Sequence, residues 1–239
     1  MSALLEVEAI HTYMGEHHIL HGVSFAVPEG GCTVLLGRNG AGKTTTLKSI
    51  IGLLHPRLGE VRFAGQAVSR RPPYAVARQG IAYVPEDRGV FVDLTVEENL
   101  LLALRPGQRL AAKTGLVFRL FPDLERAMRQ KGGTLSGGQQ QMLVIARALV
   151  TDARLILLDE PAKGLAPLLV QQVGEALRQL KAHVTLLLVE QNLALAQAVG
   201  DGCTILDDGV SVHSGALADL MADPELQARY LSLGTQGVA

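Results

Sequence analysis

The segment Gly37-Arg38-Asn39-Gly40-Ala41-Gly42-Lys43-Thr44 constrains the fold more than any other part of the chain. It matches the pattern GxxxxGK[ST] in full, a loop that works between a buried strand and a helix. Its flanks supply both. Cys32-Thr33-Val34-Leu35-Leu36 is an apolar run with no polar face, as expected of a strand covered on both sides. Lys43 to Ile51 reads as a helix closed by Gly52 and, further on, Pro56. The glycines let successive backbone N–H groups curl around a polyphosphate, and the helix N-terminus adds a favourable dipole. Lys43 then reaches the β- and γ-phosphates, and the Thr44 hydroxyl is a ligand for Mg²⁺.

Two further segments fit that chemistry. Leu155-Ile156-Leu157-Leu158-Asp159-Glu160 is a buried strand ending in two carboxylates. In an open α/β sheet, ligands gather at the carboxyl ends of strands. Asp159 is placed to hold Mg²⁺, through water. Glu160, read as the next residue along the strand, points elsewhere and is placed to polarise an attacking water. Leu135-Ser136-Gly137-Gly138-Gln139 precedes a helix expected over Gln140 to Val150. Ser136 and the glycine amides make a second candidate anion site, 23 residues before Asp159. A lone SGG would read as an ordinary serine cap; its place in a chain with a phosphate loop gives it weight.

The rest of the pattern is α/β with a helical insertion. Strands are expected at Gly22 to Val27, Gly59 to Phe63, Ile81 to Val84 and Val184 to Val189, and a helix from Pro167 to Lys181. Thr95 with Glu98 makes a capping box inside a mainly helical stretch from about Asp93 to Leu149. Gly107, Gly115 and Gly132-Gly133 are expected to break that stretch, and Asp208-Gly209 to turn a hairpin.

With 239 residues, 48% of them apolar and 19% charged, the chain can bury a full core. A net charge of -1 gives no electrostatic reason for avid nucleic-acid binding, and 4% aromatics leaves no stacking platform for single strands. The apolar run Leu100 to Leu104 is far too short to span a bilayer. Met1 to Glu6 lacks a basic-then-apolar pattern, so no secretory signal is expected. Cys32 and Cys203 are far apart, which fits a reduced, cytosolic chain. The cluster His11, His17, His18 and His21 lacks zinc-ligand spacing and reads as strand and turn residues. Arg70-Arg71 and Arg126 to Lys131 read as solvated faces, and the tail from Gly234 as frayed.

The ordered set GRNGAGKTT, LSGGQ and LILLDEP resembles an ABC-type ATPase, the nucleotide-binding subunit of an ATP-binding-cassette transporter, over nearly the whole chain. The resemblance implies one domain over residues 1–239. Its core is an α/β P-loop NTPase, with an N-terminal antiparallel β subdomain and a helical subdomain inserted at about 87–150. It implies ATP and Mg²⁺ as cofactors. It also implies a head-to-tail dimer, each ATP lying between Gly37 to Thr45 of one subunit and Ser136 to Gln139 of the other. Tyr13 becomes the adenine-stacking aromatic, and Asp87 to Asp93 the region that receives a short helix from a membrane subunit.

Departures from the common pattern narrow the branch. Glu86 stands where a glutamine usually contacts Mg²⁺, Gln191 where a histidine usually touches the γ-phosphate, and Ala166 where an aspartate is usual. VPE-x-R, LTVEENL, GLAP and VEQN together resemble an ATPase of the branched-chain (hydrophobic) amino-acid importers, with urea and amide importers close by. That branch usually has a serine after DEP; here Ala162-Lys163 follows, without a physical account from sequence. Glu86 is expected to add a charged metal ligand. Gln191 is expected to donate to the γ-phosphate, with no titration step near pH 6.5 of the kind a histidine gives. The implied partners are two transmembrane permeases, a second ATPase (a homodimer being the alternative) and, indirectly, an external solute-binding protein. The implied place is the cytoplasmic face of the inner membrane. A soluble, non-transport ABC ATPase for cofactor assembly is the contrasting reading, weakened by Gln191.

Overall fold

A computed structural model describes residues 3–231. Ten strands order the chain: β1 Ala3–Met14, β2 His17–Pro28, β3 Cys32–Leu36, β4 Leu58–Phe63, β5 Gln66–Ala67, β6 Ile81–Val84, β7 Leu155–Asp159, β8 Thr185–Val189, β9 Gly202–Asp207 and β10 Val210–Ala216. The helices are α1 Lys43–Ile51, α2 Pro73–Arg78, α3 Val96–Leu101, α4 Thr114–Leu120, α5 Pro122–Arg126, α6 Gly137–Leu149, α7 Pro167–Leu180, α8 Leu193–Val199, α9 Leu217–Ala222 and α10 Pro224–Tyr230.

Two sheets result. The first is antiparallel, in the order β2-β1-β4-β5. The second runs β10-β9-β3-β8-β7-β6, parallel except for the β9–β10 hairpin. Strands β3, β7 and β8 are buried at every position because both faces of their sheet are covered. Their side chains divide by alternation. Val34, Leu36, Ile156, Leu158, Leu186 and Leu188 face the helices α6, α7 and α8. Leu35, Leu157, Leu187 and Val189 face the antiparallel sheet and α1. Leu157 is fully buried, so truncation to alanine costs about 2–5 kcal/mol.

Helix α1 spans the residues expected of it and ends on Gly52 at φ 83, as a left-handed cap requires. The Thr95–Glu98 capping box forms as read. Asp208 (φ 44) and Gly209 (φ 75) make the left-handed pair of a tight hairpin turn. Between β6 and β7 the chain is mainly helical. Three expectations need correction. Gly115 does not break the chain but lies inside α4. Its neighbour Val117 is fully buried in the helix-side core, and that packing overrides a local glycine cost of about 0.5–1 kcal/mol. Helix α6 begins at Gly137 rather than Gln140, because Ser136 caps it. Glu160 is not part of β7, which stops at Asp159. The tail from Gly234 lies outside the described residues.

Candidate functional site

Two glycines of the loop after β3 have no room for a side chain. A β-carbon on Gly37 would lie 2.3 Å from the Leu206 carbonyl, and one on Gly42 would lie 2.6 Å from Leu20 Cδ2. Gly40, at φ 83, faces open space. Gly42 caps α1 at φ 98 with no side-chain hydrogen bond to the first turn, so those amides have no protein cap. Lys43 is 5% exposed. Its Nζ donates to the carbonyls of Gly37 and Arg38, both at 2.9 Å, and lies 4.0 Å from Glu160 Oε1. Burial pulls its pKa below the ordinary lysine value, against the pull of Glu160 and Asp159. The Thr44 hydroxyl donates to Asp159 Oδ1 at 3.0 Å. Ala41 and Thr45 are buried, and Asn39 is exposed. Arg38 turns away and donates to the Arg229 carbonyl of α10 at 2.9 Å.

Asp159 ends β7 fully buried. Desolvation raises its pKa, while hydrogen bonds from Tyr83 and Thr44 pull it back. The Tyr83 hydroxyl donates to its Oδ2 at 3.0 Å. The pairing of Tyr83 with Leu157 puts Tyr83 two positions from the Asp159 end of the ladder. Glu160 follows at φ 45, a backbone conformation that costs a non-glycine residue roughly 1–3 kcal/mol. This turn, rather than strand alternation, aims its carboxylate. The Gln191 amide donates to Glu160 Oε1, and Lys163 Nζ lies 3.3 Å from Oε2. Gln191 is thus aimed at Glu160. Glu86 is half exposed and pairs with Lys163 at 2.7 Å. Glu190 is buried, which raises its pKa; it accepts from the backbone N–H groups of Ala162, Gln191 and Asn192.

Ser136 caps α6 in a closed box. Its hydroxyl accepts from Gln139 N at 3.3 Å, and Gln139 Oε1 accepts from Ser136 N at 3.0 Å. Gly137 and Gly138 lie under Arg88 and Leu169, where a β-carbon would crowd both. Among the described residues, no hydrogen bond or ion pair joins Ser136 to Gln139 with Gly37 to Thr45. At the far end of α6, Arg147 donates to the Gly89 carbonyl at 2.6 Å and lies 4.7 Å from the Phe91 ring centre.

Tyr13, one residue before the end of β1, lies in a stack. His18 lies parallel at 4.2 Å between ring centres, and the Arg57 guanidinium lies 4.0 Å from the centre of the Tyr13 ring. His11 and His21 pack around His18. The hairpin reaches α1 through the Thr12–Ser49 hydroxyl contact at 3.0 Å.

The structure therefore gathers Lys43, Thr44, Asp159, Glu160, Glu86 and Gln191 at the ends of β3, β6, β7 and β8. Sequence reasoning missed Tyr83, Lys163 and Glu190. Tyr83 carried a signal, since its strand neighbours β7; the other two act through turns that no period marks.

A glycine cradle on a helix N-terminus, with a lysine, a threonine and a strand-end aspartate, defines a P-loop nucleotide-binding ATPase core. The family description "ABC transporter" matches residues 20–163, and the chain belongs to that family. It is 39% identical to the high-affinity branched-chain amino acid transport ATP-binding protein BraG of Pseudomonas aeruginosa, covering 95% of this chain and 99% of that one. It is 38% identical to the probable branched-chain amino acid transport ATP-binding protein LivF of Archaeoglobus fulgidus, over 86% and 89%. The ADP conformation of an ATP-binding cassette from an ABC transporter superposes with a TM-score of 0.83 at 28% identity, covering 95% and 98%. Nod factor export ATP-binding protein I of Burkholderia orbicola is also 38% identical, over 90% of this chain and 71% of that protein. The chain is accordingly an ATP-binding ATPase of transport, as the resemblance implied. No helix among the described residues is long and apolar enough to cross a membrane.

Proposed function

We propose that this chain hydrolyses ATP to drive uptake of branched-chain or other small amino acids. The similarity to two branched-chain amino acid transport ATP-binding proteins over most of the chain carries this reading. A related urea or amide importer fits the same residues. An exporter is the second reading, favoured by similarity to Nod factor and lipopolysaccharide export ATP-binding proteins. The soluble cofactor-assembly reading is weakened by Gln191.

In this reading residues 1–239 are one domain and 87–150 its helical subdomain. Gly37 to Thr45 hold the phosphates. Thr44 and Asp159, hard oxygen donors 3.0 Å apart, suit Mg²⁺, with Glu86 nearby. Bound Mg²⁺ supplies charge neutralisation on the phosphates. Glu160 orients and deprotonates the attacking water, Gln191 steadies Glu160, and Lys43 offsets charge on the γ-phosphate. Tyr13 stacks on the adenine. Ser136 to Gln139 serve a second copy or a second ATPase, consistent with their separation from the chain's own loop.

Two permeases dock beside Asp87 to Asp93. A groove of about 760 Å³ opens there, lined by Tyr74, Arg78, Asp87, Arg88, Arg105 and Arg147. Exposed Phe91 and Val92 stand at its side. Four arginines against one aspartate favour an acidic partner segment. The chain then sits on the cytoplasmic face of the inner membrane, with a solute-binding protein acting indirectly.

Two experiments test this. Glu160→Gln should lower steady-state hydrolysis by about 10²–10⁴-fold; equal rates would remove Glu160 as the base. Mild solubilisation and co-purification should recover two multispanning proteins and a second small ATPase. Recovery of soluble partners alone would remove transport by this complex.

A further inference from the structure

We propose that Lys163 is a positioning residue for Glu160, locked in place by Glu86, so that Glu86 and Lys163 act as one unit. The inference rests on Glu160 being the base. Lys163 sits in a turn whose N–H donates to the Glu160 carbonyl at 3.0 Å, followed by Gly164 at φ 70. That turn folds the lysine back over the glutamate three residues earlier. Its ammonium then lies 3.3 Å from Glu160 Oε2 and 2.7 Å from Glu86 Oε1. Glu160 is held through both oxygens: Gln191 donates to Oε1 and Lys163 to Oε2.

The charges explain why the two residues belong together. Glu86 adds a carboxylate beside Asp159 and Glu160, whose nearest other cation is the buried Lys43. Like charges at this range repel in a partly dehydrated site. Lys163 stands between the two glutamates and offsets the added charge. Without it, Glu86 pushes Glu160 off its position; without Glu86, Lys163 has no anchor and is dispensable. An isolated pair this exposed adds little to folding, so its effect is expected on turnover rather than on stability.

The test uses the purified full chain. Lys163→Ala should lower kcat about tenfold and leave KM for ATP within about twofold, the mark of a displaced group rather than lost binding. Lys163→Arg should stay within about threefold of wild type. Adding Glu86→Gln to Lys163→Ala should return kcat to within about twofold of Glu86→Gln alone. Mg·ADP binding by calorimetry checks that each variant folds, and Lys163→Gln replaces any variant that does not. An unchanged kcat in Lys163→Ala, or a loss that Glu86→Gln does not relieve, overturns the proposal. Glu160→Gln in parallel separates the two readings. A wild-type rate there overturns the base itself; a lost rate there with full activity in Lys163→Ala overturns only the role of Lys163.

Discussion

Helices α1 and α6 both begin on glycine-rich turns, yet they finish their first turns in opposite ways. Helix α1 starts at Gly42 with no side-chain cap, leaving its orphan amides to a ligand. Helix α6 starts at Ser136 with both halves of a capping box closed. Reading Ser136 and its glycines as an anion site like the first one therefore misses a difference. A phosphate that takes the Ser136 hydroxyl or the Gln139 N–H must open the capping box, whereas one that takes Lys43 draws its ammonium from two carbonyls. One terminus has no side-chain cap; at the other, Ser136 and Gln139 cap each other within the chain.

The largest expected effect separates function from stability. Lys43→Ala should lower turnover by about 10²–10³-fold. It should leave the ligand-free melting temperature level or raised, since Lys43 is buried against its preference. A large loss of stability would show that α1 depends on its lysine as α6 does on its serine. Next in size, Ser136→Ala should destabilise the ligand-free chain by about 1 kcal/mol, a drop of roughly 2–4 °C in a domain of this length. No change in a calorimetric melt would mean that the box contributes nothing.

The smallest effect concerns Asp159. Burial raises its carboxyl pKa above the ordinary value. Between the ordinary and raised values, the folded chain holds more protons than the unfolded one. Its contribution to stability therefore falls as pH rises through that window. Denaturant melts of ligand-free wild type should show this fall, and Asp159→Asn should remove it. Equal pH slopes in the two proteins would contradict the assignment.

Most of the fold was legible because strand and helix periods are local. Cys32 to Leu36 and Leu155 to Leu158 announced a doubly covered sheet, and Gly42-Lys43 a helix start. Gly115 misled because the burial of Val117, a tertiary fact, decides α4. The phosphate loop was legible because backbone shape makes it. The carboxylate cluster was less so. Glu160 depends on a single strained φ, and Lys163 on a turn that carries it back to residues far apart in sequence. The stacking of His18 on Tyr13 and the Arg57 guanidinium beside that ring were not legible, because they depend on which residues the hairpin brings together.

Amide hydrogen exchange on the dilute full chain, with and without Mg·ADP, tests the contrast between the two termini most directly. Amides of Gly40 to Thr46 should slow by about tenfold or more on binding, while those of Gly137 to Gln139 keep their rates. Equal protection at both termini in the single chain, or none at Gly40 to Thr46, would contradict the account.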